Sequence, residues 1–243
     1  MTRHDTLWPE PAPVPDRGAW LATATGGFWS IEHPHPADVD ATNIFVGLAR
    51  VCRYAGQVDP DRCFYSVAEH SMLMTQWAID NGVVTHREDA LAILLHDAAE
   101  SIYGDMPTPL KAMMPGYREI ENKAQAVIME AFGLSDGSVE ITKAQIKELD
   151  IRVRLDERLA LIREPALSEG MGVPWMGDDE RHRPLDVRIR GLWPTRAREE
   201  MLDLVDRIVT RMPARKPDCP MLARQVERAA HLDRTYREPE LTF

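Results

Sequence analysis

Hydrophobic side chains recur at helical spacing along most of the chain, and this pattern predicts a helical protein. From Asp40 onward, apolar residues fall on one face of a helix that we expect to end at Gly56. A second helix is predicted to begin near Ser66, because residues 66–69 (SVAE) match a capping box in which Glu69 reaches back to the N-cap. Residues 85–88 (THRE) match the same motif and are predicted to open a third, central helix.

The second half of the chain continues the helical pattern. Four further helices are predicted, at roughly residues 116–132, 142–163, 195–212 and 219–233. Residues 164–193 are rich in Gly, Pro and charge and predict a long loop. Near the start of the chain, Gly26 and Gly27 precede a short extended stretch that predicts one side of a small hairpin. We therefore expect an all-α protein: an irregular arm over 1–39, a helical domain over 40–163, and a loop with a C-terminal helical extension packed on that domain over 164–243.

Residues 89–111 hold an unusual combination of side chains. The apolar run 90–95 (ALAILL) is predicted to be buried, and it is followed directly by His96 and Asp97 and then by Glu100. Burying imidazole and carboxylate groups costs several kcal/mol unless partners are found for them. Residues 104–109 (GDMPTP) are predicted to form a tight loop, because their two prolines exclude a continuing helix.

Two other helices place polar side chains on their apolar faces. His70 lies in the apolar stripe of the second helix, and Asp150 and Glu157 lie on the inner face of the 142–163 helix. Two imidazoles and two carboxylates that converge would form a divalent-metal site suited to Mn, Fe, Co, Ni or Zn. The alternative for His70 is a hydrogen-bonded core histidine. Glu157 is expected beside such a site, in an ion pair or hydrogen bond, rather than on the ion.

Other charged residues have simple structural interpretations that stay open. Glu100 can be a helix-surface carboxylate, Asp105 can cap the turn that follows it, and Arg53 can pair with a surface acid. The arginines of the 142–163 helix and its end are predicted to form a solvated face: Arg152, Arg154, Arg158 and Arg163.

Composition and charge narrow the possible function classes. A chain of 243 residues with 44% hydrophobic content can bury one sizeable core. The net charge of -10 argues against duplex nucleic acid or an anionic membrane as a partner, although a small anionic substrate is compatible with it. Cys52, Cys63 and Cys219 are widely spaced, so reduced thiols are expected. The N-terminal residues lack the apolar region of a signal peptide, and no stretch reaches about 18 uninterrupted apolar residues, so a cytoplasmic protein is expected.

Three segments together resemble the HD-domain phosphohydrolases, whose signature is a His, then a His-Asp pair, then a distant Asp. The segments are residues 68–71 (AEHS), 96–100 (HDAAE) and 104–111 (GDMPTPLK). Their order and spacing resemble the branch that contains bacterial 5′-deoxynucleotidases and phage-type deoxynucleotide triphosphohydrolases. The resemblance covers roughly residues 40–160, and it implies that the helical domain over 40–163 is an HD-domain bundle.

The resemblance also implies a role for each candidate residue. By position, one divalent ion (Mn, Co, Fe, Ni or Zn, with Mg as a further choice) would be bound by His70, His96, Asp97 and Asp150. Glu100 matches the catalytic acid that orients and deprotonates the attacking water, and Asp105 matches a residue that contacts or positions the substrate. Arg53 and Lys111 match positions for the substrate phosphate, which a guanidinium fork suits.

The implied activity is hydrolysis of the 5′-phosphate ester of a (deoxy)nucleotide. A monophosphate would give nucleoside and phosphate, whereas a triphosphate would give nucleoside and tripolyphosphate, and both reactions stay open. Members of this branch commonly form dimers or larger rings, so a homo-oligomer is expected. Ser101 counts against an alarmone substrate, because the alarmone hydrolases carry Asp at that position. One metal is favoured over two, because no spare His near the site is found apart from His86 in a cap region.

Two other functions stay open. One is a nucleotide-binding regulatory module with a structural metal, although Glu100 and Asp105 argue against it because a structural site needs no positioned base. The other is an HD oxygenase with two irons, which requires more ligands than the sequence offers.

Overall fold

The computed structural model describes residues 11–61, 64–135, 137–162 and 181–235, and most of them lie in helices. The helices in these residues are α1 (Ala41–Arg50), α2 (Val67–Asp80), α3 (Arg87–Leu94), α4 (Glu100–Tyr103), α5 (Thr108–Ala112), α6 (Pro115–Ala131), α7 (Lys143–Leu161), α8 (Pro194–Arg211) and α9 (Pro220–Thr235). Two short strands, β1 (Trp20–Ala22) and β2 (Phe28–Ser30), form an antiparallel pair. The predicted all-α class is confirmed. None of the described helices combines the length and the apolar character that a membrane span requires.

The core lies where the apolar faces of α1, α2, α3 and α8 meet. α1 lies against α2, α4, α8 and α9, and α2 lies against α3, α7 and α8. The apolar run of α3 is fully enclosed, with Leu91, Ile93 and Leu94 inaccessible to solvent. Burial stabilises such side chains by about 1.5–3 kcal/mol each, so the helix that leads to His96 is fixed in place by its own hydrophobic residues.

The small hairpin predicted near Gly26 is confirmed, and it is attached to the helices. Leu21 of β1 lies opposite Trp29 of β2. Trp29 is buried, and its Nε1 donates a hydrogen bond of 2.8 Å to Oη of Tyr103 in α4. One buried indole therefore anchors the N-terminal arm on the helix that begins at Glu100.

α1 ends at Arg50 rather than at Gly56, so the prediction for this boundary is wrong. Val51 is extended, and its carbonyl accepts a hydrogen bond of 3.1 Å from the N–H of Val67. This pairing with the start of α2 takes Val51 out of the helix. It leaves residues 53–56 to form a separate turn beside the functional site.

The predicted continuous central helix is interrupted between α3 and α4. Residues 95–99 form a turn, and Gln125 of α6 bonds both edges of it. Its Nε2 donates to the carbonyl of Leu95 (2.7 Å), and its Oε1 accepts from the N–H of Ala99 (3.0 Å). The amide thereby satisfies backbone groups that the break removes from helical pairing. The interruption places the His-Asp pair in the turn and Glu100 at the first position of α4.

The loop predicted over 104–109 is shorter than expected. Residues 104–107 are irregular, and α5 begins at Thr108 with Pro109 in its first turn, where the missing N–H is tolerated. α6, α7, α8 and α9 lie close to their predicted positions. Of the predicted loop over 164–193, residues 164–180 lie outside the described residues, and 181–193 contain no helix or strand.

The carboxylates of Glu69 and Glu88 bind the C-terminal part of the chain instead of closing the predicted capping boxes. Ser66 is the N-cap of α2, and its Oγ accepts from the N–H of Glu69 at 3.1 Å, as predicted. The Glu69 carboxylate, however, accepts from the backbone of residues 190–192. α3 is capped at His86, and Glu88 accepts from the backbone of residues 215 and 216.

Candidate metal centre

Three segments bring the predicted metal ligands together. His70 is in α2, His96 and Asp97 lie in the turn between α3 and α4, and Asp150 is in α7. Ligand atoms of His70, His96 and Asp97 all lie within 4.8 Å of one another, so this group could hold a metal ion. Imidazole and carboxylate donors suit divalent ions of the Mn to Zn series.

The two histidines are oriented by the bonds that their Nδ1 atoms make. Nδ1 of His70 lies 2.6 Å from Oε1 of Glu157, and Nδ1 of His96 lies 2.8 Å from the carbonyl oxygen of Ile93. Both partners are acceptors, so both Nδ1 atoms carry a proton, and in the neutral ring the Nε2 atom of each histidine offers a lone pair. The two Nε2 atoms are buried and make no hydrogen bond of good geometry among the described residues. The polar atom nearest to Nε2 of His96, at 3.0 Å, is a carboxylate oxygen of Asp97, which is itself a candidate ligand. A buried nitrogen without a partner is costly, and a metal ion is the partner that this arrangement fits.

Asp97 completes the group on the side of the turn. Its Oδ2 lies 3.0 Å from Nε2 of His96, 3.9 Å from Nε2 of His70 and 3.6 Å from Nη1 of Arg53. Burial would raise the pKa of Asp97, but the protonated forms of His96 and His70, together with Arg53, outweigh it and lower the pKa. Asp97 is therefore an ionised carboxylate, which is the form that binds metal.

Asp150 approaches the group from α7. Its Oδ1 lies 3.5 Å from Nε2 of His70, and its Oδ2 accepts a hydrogen bond of 2.5 Å from Nζ of Lys147. Burial would raise the pKa of Asp150, but His70 and Lys147 hold it below its ordinary value. Asp150 thus stands next to the three-residue group, with one oxygen facing it and the other paired to a lysine.

Glu157 lies beside the three-residue group and makes the hydrogen bonds and the ion pair that were predicted for it. It is fully buried, accepts a hydrogen bond of 2.7 Å from Oη of Tyr65 and another from Oη of Tyr54, and lies 3.5 Å from Nη2 of Arg53. Burial would raise the pKa of Glu157, but the charges of Arg53 and of the protonated form of His70 prevail and lower it to about 2. One charged carboxylate therefore fixes the His70 ring and the Arg53 guanidinium together.

Replacing Glu157 by glutamine is expected to lower the free energy of unfolding of the metal-free protein by about 3–5 kcal/mol, because it removes the fully buried counter-charge of Arg53 and leaves only the partly exposed Asp97 at 3.6 Å. Denaturant unfolding at neutral pH measures the change. Glu121→Gln is the matched control, since Glu121 makes an ion pair of 2.7 Å with Lys111 nearer the surface. There the loss should stay below about 1 kcal/mol. Equal losses in the two variants would contradict the central role of Glu157.

Glu100 is buried at the start of α4 and is not the helix-surface carboxylate that stayed open from the sequence. Its Oε2 has no hydrogen-bond partner among the described residues, and its Oε1 lies 3.6 Å from Nζ of Lys111. Burial, together with the negative charges of Asp97 and Asp105, raises the pKa of Glu100 well above its ordinary value. A carboxylate in such surroundings is a strong proton acceptor when it is ionised.

A cavity of about 770 Å³ opens beside the group. Among its lining residues are six of the eight predicted site residues: Arg53, Asp97, Glu100, Asp105, Lys111 and Asp150. Met106, Pro107 and Pro109 provide an apolar wall, and Lys147 and Arg154 add two cations. The cavity therefore combines carboxylates, cations and an apolar surface next to the two histidines, and it can receive a small polar molecule.

The turn at residues 53–56 holds Arg53 and Tyr54 against this cavity. Tyr54 and Ala55 have left-handed backbone angles, with φ of 57° and 51°, which costs about 1–3 kcal/mol at each residue. The N–H of Tyr54 donates a hydrogen bond of 3.3 Å to Oδ2 of Asp105. Asp105 therefore fastens the strained turn that carries Arg53, and Arg53 pairs with buried Glu157 rather than with a surface acid.

The predicted solvated face of α7 is wrong for Arg154, which was missed as a site residue. Arg154 is only 8% exposed and lines the cavity. Arg152 lies over the ring of Trp77, at 4.6 Å from its centroid, and donates to the carbonyl of Arg183 at 2.9 Å. The sequence did contain a signal for Arg154, because it follows Asp150 by four residues and so shares its helix face. Arg163 lies outside the described residues.

A second cavity, of about 720 Å³, lies between α2, α8 and residues 187–190. It is lined by acidic and basic side chains in similar numbers and by none of the predicted site residues. The chemistry is therefore assigned to the cavity beside His70, His96 and Asp97.

The chain is similar to two known proteins, while no protein-family model matches it. The first, described as uncharacterized protein RCAP_rcc00048 of Rhodobacter capsulatus, is 36% identical over 176 residues, which cover 71% of this chain and 87% of that protein. The second, described as uncharacterized protein YfdR of Escherichia coli strain K12, is 31% identical over 140 residues, which cover 58% of this chain and 71% of that protein. Identity above 30% over more than two thirds of each relative shows common descent, so the chain belongs to the family of these two proteins.

Proposed function

We propose that this protein is a metal-dependent phosphohydrolase of the HD-domain type that cleaves the 5′-phosphate ester of a (deoxy)nucleotide. The observation that carries the proposal is the pair of buried Nε2 atoms of His70 and His96, which make no hydrogen bond of good geometry among the described residues and face ionised Asp97. Glu100 stands three residues further along, with a buried carboxylate of raised pKa. The resemblance to HD-domain proteins in sequence motifs supports the same reaction.

Four residues would hold the metal ion, for which Mn, Co, Fe, Ni and Zn are suitable and Mg is a further choice: His70, His96, Asp97 and Asp150. Asp150 is included because its Oδ1 faces His70 at 3.5 Å. When bound, such an ion would supply Lewis-acid polarisation of the phosphoryl oxygens. The imidazoles are pre-oriented by Glu157 and Ile93, which lowers the cost of assembling the site.

The protein's own side chains would then perform the hydrolysis. Ionised Glu100 would hold the attacking water in line with the ester bond and accept a proton from it as the new P–O bond forms. The P–O bond to the 5′ oxygen would break, and that oxygen would leave with a proton from solvent. Arg53 and Lys111, which line the same cavity, would neutralise the phosphoryl oxygens. Asp105 would keep Arg53 in place through its bond to the turn at Tyr54. The nucleoside would lie along the apolar wall of the cavity.

The test is a panel of nucleoside mono-, di- and triphosphates of both sugars, each incubated with Mn, Co, Mg or Zn, with the products separated by chromatography. Release of nucleoside with phosphate, or of nucleoside with tripolyphosphate, would identify both the reaction and the substrate. Metal binding without hydrolysis of any nucleotide would overturn the proposal and favour a regulatory module with a structural metal.

One metal ion per chain is part of the proposal. Within the described residues, one group of three or more potential ligands meets the distance requirement, and it contains His70, His96 and Asp97. A two-iron oxygenase would need a further set of ligands, and a measured content near two metal ions per chain would favour that reaction instead. Assembly into a homo-oligomer stays a prediction, which light scattering can test.

Arg154 lines the same cavity as Arg53 and Lys111, so we expect it to bind the substrate phosphate as well. Replacing Arg154 by alanine should then raise KM by about 10–100-fold, because a charge-assisted hydrogen bond to phosphate contributes about 1.5–3 kcal/mol. Arg154 lines the cavity from α7, one turn beyond Asp150. Arg152→Ala is the matched control, because Arg152 lies two residues away but packs on Trp77. Steady-state kinetics measure both variants. An unchanged KM for Arg154→Ala would remove Arg154 from the phosphate site.

A further inference from the structure

Residues 185–192, which precede α8, are held at one end by Glu69. Glu69 is 1% exposed. Its Oε1 accepts hydrogen bonds from the N–H groups of Arg190 (2.7 Å) and Gly191 (3.2 Å), and its Oε2 accepts from the N–H of Leu192 (2.7 Å). Both oxygens of one buried carboxylate are thus used to fix three consecutive backbone groups on α2.

The other end of the same segment is held by α7. Oδ2 of Asp156 accepts a hydrogen bond of 2.8 Å from the N–H of Leu185. Asp156 is buried, and the side chains of Leu185 and Ile189 are buried as well. The segment therefore lies across α2 and α7 with a carboxylate bond at each end and apolar anchors between them.

The two attachment points are adjacent in sequence to the metal centre. Glu69 immediately precedes His70, and Asp156 immediately precedes Glu157, which binds the His70 ring. α2 and α7 are also the helices that carry His70 and Asp150. Any rotation or shift of one helix against the other would change the distance between these two residues, and the segment opposes such a shift.

We propose that residues 185–192 act as a brace between α2 and α7, and that Glu69 and Asp156 are positioning residues that keep His70 in register with Asp150 and Glu157. The inference rests on the proposed function, since it assumes that these residues bind a metal. It gives the C-terminal part of the chain a role in the site, although none of the described brace residues lines the cavity.

Two other carboxylates make similar bonds on a different helix, and neither precedes a ligand or its partner directly, so they separate positioning from general stability. Glu88 is buried and accepts from the N–H groups of Arg215 (3.1 Å) and Lys216 (3.3 Å). Asp89 is buried and accepts from the N–H groups of residues 140 (2.8 Å) and 141 (3.0 Å). Both lie at the start of α3, about two turns before His96.

The experiment compares Glu69→Gln with Glu88→Gln, and Asp156→Asn with Asp89→Asn, in the full chain. Co²⁺ is titrated into each metal-free variant, and its visible absorption reports both affinity and ligand geometry; denaturant unfolding reports stability. We expect Glu69→Gln and Asp156→Asn to bind Co²⁺ about tenfold more weakly with an altered spectrum. The two controls should lose comparable stability but keep Co²⁺ affinity within about twofold of the wild type.

The possible results distinguish this inference from the proposed function. Equal Co²⁺ affinity in test and control variants would overturn the brace. If either Glu69→Gln or Asp156→Asn fails to fold, the comparison of the other test variant with its control decides the question. A wild-type chain that binds no Co²⁺ would overturn both. A wild-type chain that binds Co²⁺ with the expected difference between pairs, but hydrolyses no nucleotide, would leave the brace standing and remove the phosphohydrolase.

Discussion

Replacing Glu100 by alanine is expected to lower kcat by about 10²–10⁴-fold, the usual contribution of a positioned general base, while Co²⁺ affinity stays near that of the wild type. Glu100 is buried at the cavity and has an oxygen without a hydrogen-bond partner among the described residues. It stands apart from the group of three residues whose ligand atoms lie within 4.8 Å of one another. Its removal should therefore stop proton transfer without emptying the metal site.

Initial rates with the substrate found in the nucleotide panel, combined with a Co²⁺ titration, check this expectation. Glu119→Ala is the control, because Glu119 is exposed on α6 and does not line the cavity. Both variants should bind Co²⁺, and only the Glu100 variant should lose turnover. A Glu100 variant that turns over substrate at the wild-type rate would contradict the assignment of Glu100 as the general base.

The same role fixes the direction of the pH dependence. The base must be ionised, so kcat/KM should fall as pH decreases through the pKa of Glu100. Burial and the negative charges of Asp97 and Asp105 raise that pKa, so the acidic inflection should lie above that of an ordinary glutamate. Asp105→Asn removes one of those charges and should move the inflection to lower pH, whatever it does to the absolute rate.

The helices that were predicted well are those whose boundaries depend on residues close in sequence. α2 begins where Ser66 caps it, and α6 and α7 follow their apolar periodicity. The break after α3 was missed because its stabilising partner is remote. The side-chain amide of Gln125 supplies hydrogen bonds to the backbone groups that the break leaves unpaired. The sequence of residues 90–100 alone does not indicate that an amide from another helix binds there.

The capping boxes failed for the same physical reason. Residues 66–69 and 85–88 carry the right residue types, but a carboxylate binds wherever the better set of N–H groups lies. The C-terminal segments offer Glu69 three backbone donors and Glu88 two. The local motif therefore predicted where α2 starts, but not which backbone groups the carboxylate of Glu69 binds.

The candidate metal ligands could be predicted from the sequence, whereas the contacts that hold Arg53 in place could not. The order and spacing of His70, His96 and Asp97 were sufficient to bring the three together, and the structure places their ligand atoms within 4.8 Å. The burial of Arg53 depends on Glu157, which is remote in sequence, and required the folded chain. The place of Arg154 at the cavity could have been predicted from the sequence, because Arg154 follows Asp150 by four residues on the same helix.

Replacing His96 by alanine is expected to weaken Co²⁺ binding by more than about 100-fold, beyond the effect of losing a supporting residue, and to abolish hydrolysis with it. Nε2 of His96 is buried, and the bond from Nδ1 to the Ile93 carbonyl directs its lone pair toward the other ligand atoms. The variant should thus differ from the Glu100 variant, which keeps metal and loses only turnover.

The loss must come from the missing ligand and not from unfolding, and the metal-free stability separates the two. Truncating an apolar core residue such as Leu94 to alanine costs about 2–5 kcal/mol. His96→Ala should cost less, because the metal-free protein already bears about 1–3 kcal/mol for a buried Nε2 that makes no hydrogen bond of good geometry. Denaturant unfolding and Co²⁺ titration of His96→Ala, with His35→Ala in the N-terminal arm as the control, measure both quantities. A folded His96 variant that binds Co²⁺ like the wild type would show that the two histidines are core residues, and the metal centre would then have to be abandoned.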